Sequence, residues 1–369
     1  MTREEYQKTA KDVIYLASCA VNGVSPDQSR VKEMDLPLLY KVAEFHLLTA
    51  ITAMALESAD VHNPAFTQAK GKAIRKAALM EAEMNTLFSR LEAAAIWYMP
   101  LKGTVVKDFY PVYGMRQMAD HDILIDANRA DDVKAIMESL GFTTQHFGSG
   151  VHDSYFKEPV CNFEMHRALF GPRHDEKLNA YYRDVENRLT KGDGYERRFT
   201  PEDFYIYMIA HEYKHYSAGG TGIRSLLDTY VYLRKQPLDM DCVSAETEKL
   251  GIREFEERNR SLSLHLFSGE GLTDAEHEML DYVLSSGTYG TVEHSVKRTV
   301  NKLGGGVRGK VRYIWGRLFL PMDSVQSFYP FFYRHRILLP ILPIYRIGRG
   351  LAVRRSRILA ELKALKKIE

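Results

Sequence analysis

Two stretches of this 369-residue chain carry residue types that could do chemistry together. The first is Pro100-Leu101-Lys102-Gly103-Thr104, and the second is Arg116-Gln117-Met118-Ala119-Asp120-His121-Asp122 running into Ile123-Leu124-Ile125. Side chains alternate along a strand, so Asp120 and Asp122 should project from one face while Ile123 and Ile125 reach a core. Two carboxylates so close repel, and a divalent cation is the usual remedy. Magnesium is commonly held by one or two carboxylates together with substrate phosphates. Glu164, in Asn162-Phe163-Glu164-Met165-His166-Arg167, is the candidate third carboxylate that would complete a two-ion site. Lys102, Gly103 and Thr104 are expected to take the phosphates. Glycine admits a phosphate close to the backbone, and the helix that follows offers free N–H groups at its N-terminus. Thr104 adds a hydroxyl, and Lys102 and Arg116 add positive charge.

Taken singly, either piece is a weak signal, since a Lys-Gly-Thr is usually a turn and an Asp-x-Asp usually a solvated strand end. Their order on a strand, turn, helix, strand frame is what makes them persuasive. Ala95-Ile96-Trp97-Tyr98-Met99 predicts a short buried strand stopped by Pro100, Thr104 to Tyr110 a brief helix, and Met118 to Ile125 a second strand. Ala130 to Leu140 predicts a helix ended by Gly141, and Thr143 to Phe147, Ser154 to Lys157 and Asn162 to Arg167 predict further strands. Helical periodicity fills residues 3 to 93, with Pro37 ahead of one run and Asn63-Pro64 as the start signal of another. Helices resume with Phe204 to Tyr216 and Arg224 to Leu233. The expected organisation is a helical segment over 1–93, an α/β core over 94–170, a helical segment over 171–290 and a basic, aromatic-rich segment over 291–369.

A second motif competes for the chemistry. His211-Glu212-Tyr213-Lys214-His215 matches the H-E-x-x-H pattern of zinc proteases, with two histidines one helical turn apart and Glu212 as a base. Lys214 inside the motif and the lack of an evident third ligand count against zinc. His211 and His215 are instead expected to line the nucleotide or acceptor side of the cleft, with Arg224 and Asp228 as an i, i+4 supporting pair.

Leu101-Lys102-Gly103, Tyr110-Pro111, Gly114 to Ile125 and Glu164-Met165-His166-Arg167 together resemble the uncharacterised nucleotidyltransferase-like proteins of the DNA polymerase β superfamily. The likeness extends through His211, His215, Arg224 and Asp228, over roughly residues 90 to 235. It implies an α+β fold, a small mixed-sheet nucleotidyltransferase core flanked by N-terminal and C-terminal helical domains. It also implies magnesium-dependent transfer of a nucleoside monophosphate from an NTP such as ATP to an acceptor, with pyrophosphate released and manganese as the alternative ion. Asp120, Asp122 and Glu164 would be the catalytic metal carboxylates. Lys102, Gly103, Thr104 and Arg116 would bind the nucleotide, and His166 would support the cleft. The Gly-Ser usual in the superfamily is Gly-Thr here. A zinc protease and a non-catalytic nucleotide-binding protein stand as the alternatives.

Composition bounds the rest. Hydrophobic residues are 45% and charged residues 27%, and the three cysteines show no metal-ligand spacing. Together with a charged, amphipathic N-terminus, this predicts a reducing, cytoplasmic setting. A net charge of +2 hides a polarity: residues 297–369 hold 17 Lys and Arg against 3 Asp and Glu, leaving the remainder acidic. Such a segment is expected to meet an anionic partner, and peripheral contact with an anionic membrane is favoured over nucleic acid.

Overall fold

The computed structural model describes residues 1–148, 150–171, 175–287, 292–353 and 355–368. It combines many helices with a five-stranded mixed sheet and a two-stranded ribbon, the α+β arrangement expected from the sequence. The chain divides into two compact units, Met1–Lys214 with Gly222–Leu284, and His215–Thr221 with Ser285–Glu369. The segments read as 1–93 and 94–170 lie together in the first of these, and the 290/291 boundary lies outside the described residues.

The first unit opens with α1 (Arg3–Asn22), α2 (Gln28–Lys32), α3 (Leu36–Phe45), α4 (Thr49–Ser58) and α5 (Pro64–Ala93). The periodic run from Leu38 to Leu48 is cut after Phe45, where Leu47 takes a positive φ of 55° and turns the chain from α3 into α4. The start signals act as read. Asp35 accepts the Leu38 N–H at 3.0 Å with Pro37 in the first turn, and Asn63 accepts the Ala65 N–H at 3.0 Å ahead of Pro64.

Helix α5 is 30 residues long and belongs to the sheet as much as to the helices before it. Met80, Met84, Leu87 and Leu91 along one side bury against Ile123, Ile125, Phe163 and Met165. Burying such side chains stabilises the unit by roughly 1.5–3 kcal/mol each relative to exposure. Ala95, at φ 54°, reverses the chain into the sheet.

The sheet contains β1 (Tyr98–Pro100), β2 (His121–Ile125), β3 (Thr143–Gln145), β4 (His152–Lys157) and β5 (Cys161–His166), in the order β1-β2-β5-β4-β3. The β2–β5 pairing is parallel and the others are antiparallel. After β1 comes α6 (Gly103–Val106), only four residues long, and then a 3-10 turn over Lys107–Phe109. Helix α7 (Ala130–Ser139) adds Val133 and Met137 to the core shared with α5.

Beyond the sheet come α8 (Glu176–Tyr181), the two-stranded ribbon β6 (Thr190–Lys191) and β7 (Arg197–Arg198), α9 (Pro201–Ala218), α10 (Ile223–Lys235), α11 (Met240–Leu250), α12 (Arg253–Ser268) and α13 (Asp274–Ser286). The second unit is built from α14 (Val292–Lys302), α15 (Gly306–Leu318), α16 (Met322–Phe328), α17 (Pro330–Arg334), α18 (Leu342–Val353) and α19 (Arg355–Lys367), around Val296, Val300, Tyr313 and Ala364. Among the described residues, no helix is long and apolar enough to cross a membrane.

Candidate active site

The register of the sheet assembles the site. Asp122 on β2 lies directly opposite Glu164 on β5, and His166 on β5 lies opposite His152 on β4. Because side chains alternate, these four share one face, while Ile123, Ile125, Phe163 and Met165 fill the core on the other. Asp122 is buried, and its Oδ1 accepts from Lys102 Nζ at 2.7 Å and His166 Nε2 at 2.8 Å. Glu164 Oε2 is 3.5 Å from His152 Nε2 and 3.7 Å from His166 Nε2. Asp120 sits in the loop immediately ahead of β2.

Lys102 reaches Asp122 from an unusual backbone. Its φ is +47°, in the half of conformational space that side chains avoid, and the preceding Leu101 N–H bonds the Asp122 carbonyl at 2.9 Å. A strained residue beside a buried carboxylate is the kind of feature that collects at functional sites.

The electrostatics follow from this crowding. Burial alone would push the Asp122 carboxyl up, but Lys102 and His166 hold it well below the usual range. Asp120 is raised by burial and by the Asp122 charge. Glu164 is pushed up to about 7 by burial and then by Asp122 and Asp120. His166 is lowered to about 4 by burial and by Lys102, so a neutral ring donates its Nε2–H to Asp122. The other ring nitrogen, Nδ1, is buried without a hydrogen-bond partner.

Helix α9 adds groups that the sequence reading left out. Tyr207 feels Asp122 and Glu164, and its buried hydroxyl has no hydrogen-bond partner. Lys214, two turns further on and on the same helical face, is lowered to about 8 by burial and then by Lys102, against the pull of Asp122 and Glu164. Lys214 entered the sequence reading only as an objection to zinc, although its i+7 spacing from Tyr207 was open to inspection. His152 was missed because β4 starts two residues before the strand expected there.

Three expected nucleotide contacts are otherwise engaged. The Arg116 guanidinium is buried against Asp228, with Nε to Oδ1 and Nη2 to Oδ2 both at 2.8 Å, and Tyr110 donates to the same Oδ1 at 2.8 Å. A Cβ on Gly103 would lie 2.3 Å from Arg116 Nη1, so the space opened by the missing side chain admits a guanidinium. The Thr104 hydroxyl is buried and pairs with His121 Nδ1 at 2.9 Å. The four-residue α6 is also too short to offer the developed N-terminal field expected of it. Of the phosphate set, Lys102 alone has its charged group on the carboxylate cluster.

The supporting pair is rearranged too. Asp228 serves Arg116 and Tyr110, while Arg224 donates to the Gln117 carbonyl at 3.1 Å. The Gln117 side chain accepts from Thr49 and the Ala50 N–H at the start of α4, at 2.9 and 3.0 Å. Lys76 of α5 donates to the Ala119 carbonyl at 2.8 Å. The loop that delivers Asp120 is therefore pinned by α4, α5 and α10.

For the H-E-x-x-H motif, Glu212 is buried, and burial raises its carboxyl to about 8. It is not placed as a solvent-facing base. Among the described residues, the histidine and carboxylate donors gathered within 4.8 Å of one another are His152, Glu164 and His166, a set without His211 or His215.

That set and the neighbouring carboxylates form a candidate cation site. Burial and then the Asp122 charge raise both Glu164 and Asp120, and a bound cation would offset that repulsion. The orphaned His166 Nδ1 and Tyr207 hydroxyl add unmet polar demand close by. Oxygen donors suit magnesium or manganese, and imidazoles suit zinc, iron, copper or nickel. The residues fit a divalent cation.

Comparison with known proteins agrees with the sequence resemblance. A family model described as "Uncharacterised nucleotidyltransferase" matches residues 32–268, more than half of the chain, and the chain belongs to that family. Comparison with curated proteins and with solved structures finds no match.

Proposed function

We propose that this member of the uncharacterised nucleotidyltransferase family moves a nucleoside monophosphate from an NTP to an acceptor hydroxyl or phosphate, releasing pyrophosphate, with magnesium or manganese required. Family membership supports nucleotidyl transfer in general. The observation that supports the finer reading is the placing of Asp122 opposite Glu164 on paired strands, with Asp120 just ahead, where burial and then the Asp122 charge raise the other two carboxyls.

In this reading Asp120, Asp122 and Glu164 would hold the cation, with His152 and His166 beside them. The cation would supply charge neutralisation at the triphosphate and a lowered pKa for the attacking acceptor. Lys102 Nζ now occupies Asp122 Oδ1 and is the group best placed to move onto a phosphate. Lys214 brings a second ammonium toward the same carboxylates. The acceptor oxygen attacks the α-phosphorus, the bond from that phosphorus to the bridging oxygen breaks, and pyrophosphate leaves. Glu164, opposite Asp122 on the paired strand, would receive the acceptor proton. Arg116 acts from behind, fixing the loop that carries Asp120.

The test follows α-phosphate label from each NTP into cell-extract acceptors with magnesium or manganese. Asp122→Asn should cut transfer to below about a hundredth of wild type, since even partners of metal ligands are worth about 10–100-fold. Transfer that persists at wild-type rate would sink the assignment. NTP binding with no transfer to any acceptor, unchanged in Asp122→Asn, would favour the non-catalytic binding protein.

A further inference from the structure

The second unit carries its apolar residues on the outside. Its core is small, yet on α15 the residues Val307, Val311, Ile314 and Trp315 are all exposed, Val307 by 74% and Trp315 by 63%. Their spacing is i, i+4, i+7, i+8, which lines them along one side of a helix. The opposite side is the one that packs. Tyr313 is buried in the core, and a Cβ on Gly309 would lie 2.3 Å from the Val300 carbonyl, so α15 sits close on α14 by that face. The solvent-facing stripe is thus the helix's second apolar face.

Charge says what covers it. At about 100° per residue, Arg308 and Lys310 fall on either flank of the stripe. Trp315 stacks near the Phe319 ring at 4.3 Å between centroids, leaving an exposed aromatic pair at the end of the helix. Further along the same unit, Ile337 is 92% exposed and Ile344 71% exposed. Residues 297–369 hold 17 basic against 3 acidic side chains, and Glu361, one of the three, pairs with Arg317. A second copy docking by the same face would bring the same excess of positive charge and be repelled. A nucleic acid would satisfy the cations but leave the valine and isoleucine stripe in water.

We propose that the second unit binds an anionic lipid surface, with α15 lying in the plane of the interface, its Val307-to-Trp315 stripe among the acyl chains and Arg308 and Lys310 at the headgroups. Apolar burial and attraction to anionic lipid add in such a geometry. Basic flanks set the depth, because their stems reach up to the headgroups.

The test uses the full chain with Trp97→Phe, which leaves Trp315 as the only tryptophan. It is mixed with phosphatidylcholine vesicles, with or without phosphatidylglycerol, and followed by flotation and fluorescence. Vesicles containing phosphatidylglycerol should float the protein, shift Trp315 emission to the blue and allow its quenching by brominated acyl chains. Arg308→Glu with Lys310→Glu should weaken binding about 25-fold or more, at roughly fivefold per basic residue lost. Val311→Ser with Ile314→Ser should remove the blue shift while the far-ultraviolet circular dichroism is unchanged. Quenching in the parent protein carries the test even where a variant misfolds. The proposal is overturned by absence of flotation, by flotation without a Trp315 response, by self-association in place of lipid binding, or by saturable RNA binding without vesicle binding.

Discussion

Arg116 and Asp228 lie 112 residues apart in the chain and meet in a buried two-point ion pair, both contacts at 2.8 Å. The pair ties the loop before β2 to α10, and Tyr110 completes it through its own bond to Asp228. Removing one partner leaves the other charge buried and uncompensated. Asp228→Ala should therefore destabilise the first unit by about 3–5 kcal/mol in chemical denaturation. Adding Arg116→Met should recover much of that loss, because an apolar pair leaves no charge in the interior. Equal destabilisation in the single and double variants would show that Asp228 acts by some route other than this pair.

Gly103 gives a second, steric prediction. The Arg116 guanidinium lies where its Cβ would be, at 2.3 Å from Nη1, so Gly103→Ala has to displace a group locked by Asp228. The expected cost is about 1–3 kcal/mol of stability, typical of overpacking. The shift should shrink in an Arg116→Met background. A phosphate-only role for Gly103 predicts weaker NTP binding with unchanged stability, so paired denaturation and NTP titration tell the two apart.

These residues also mark what could be read from the sequence. β2 and β5 were legible because Ile123 and Ile125, then Phe163 and Met165, recur at every second position and leave Asp122 and Glu164 on the shared opposite face. Asn63-Pro64 announced α5 because a helix start is a local event. What fills the space beside a glycine, or which of two arginines an acid takes, is decided by distant chain. Gly103 and Thr104 showed the right types for phosphate, but Arg116 and His121 are what lie against them. Asp228 sat one turn from Arg224 and looked like its partner, while Arg116 competed with two-point geometry. Lys214 was hidden by the motif around it, since a zinc pattern directs attention to His211 and His215.

His46 should make stability depend on acid. It is fully buried, Tyr6 Oη lies 2.8 Å from its Nε2, and its Nδ1 accepts the Ile223 N–H at 3.3 Å. Burial lowers its pKa from 6.5 to about 3. Between those values the unfolded chain binds the proton and the folded chain does not, so stability rises with pH there. The contribution is complete above about 6.5 and is lost as pH falls toward 3, at about 1.4 kcal/mol per pH unit. His46→Gln should flatten that part of the curve in denaturation measured from pH 7 to pH 4. An unchanged slope would mean that His46 is protonated in the folded protein.

Glu212 should act in the opposite direction. Burial raises its carboxyl from 4.5 to about 8, with the Asp228 charge pushing the same way and Asn259 opposing. Between those values the folded protein holds a proton that the unfolded chain has released, so stability falls as pH rises. Its contribution is intact below about 4.5 and is lost progressively up to about 8, beyond which the curve levels. Glu212→Gln keeps the shape and removes the ionisation, so wild type and variant should agree near pH 4.5 and diverge in favour of the variant above it. The divergence should grow by about 1.4 kcal/mol per pH unit. This slope also weighs the zinc reading independently of any activity assay. A Glu212 that faced solvent as a base would titrate near 4.5 in both states, and the two curves would then run parallel.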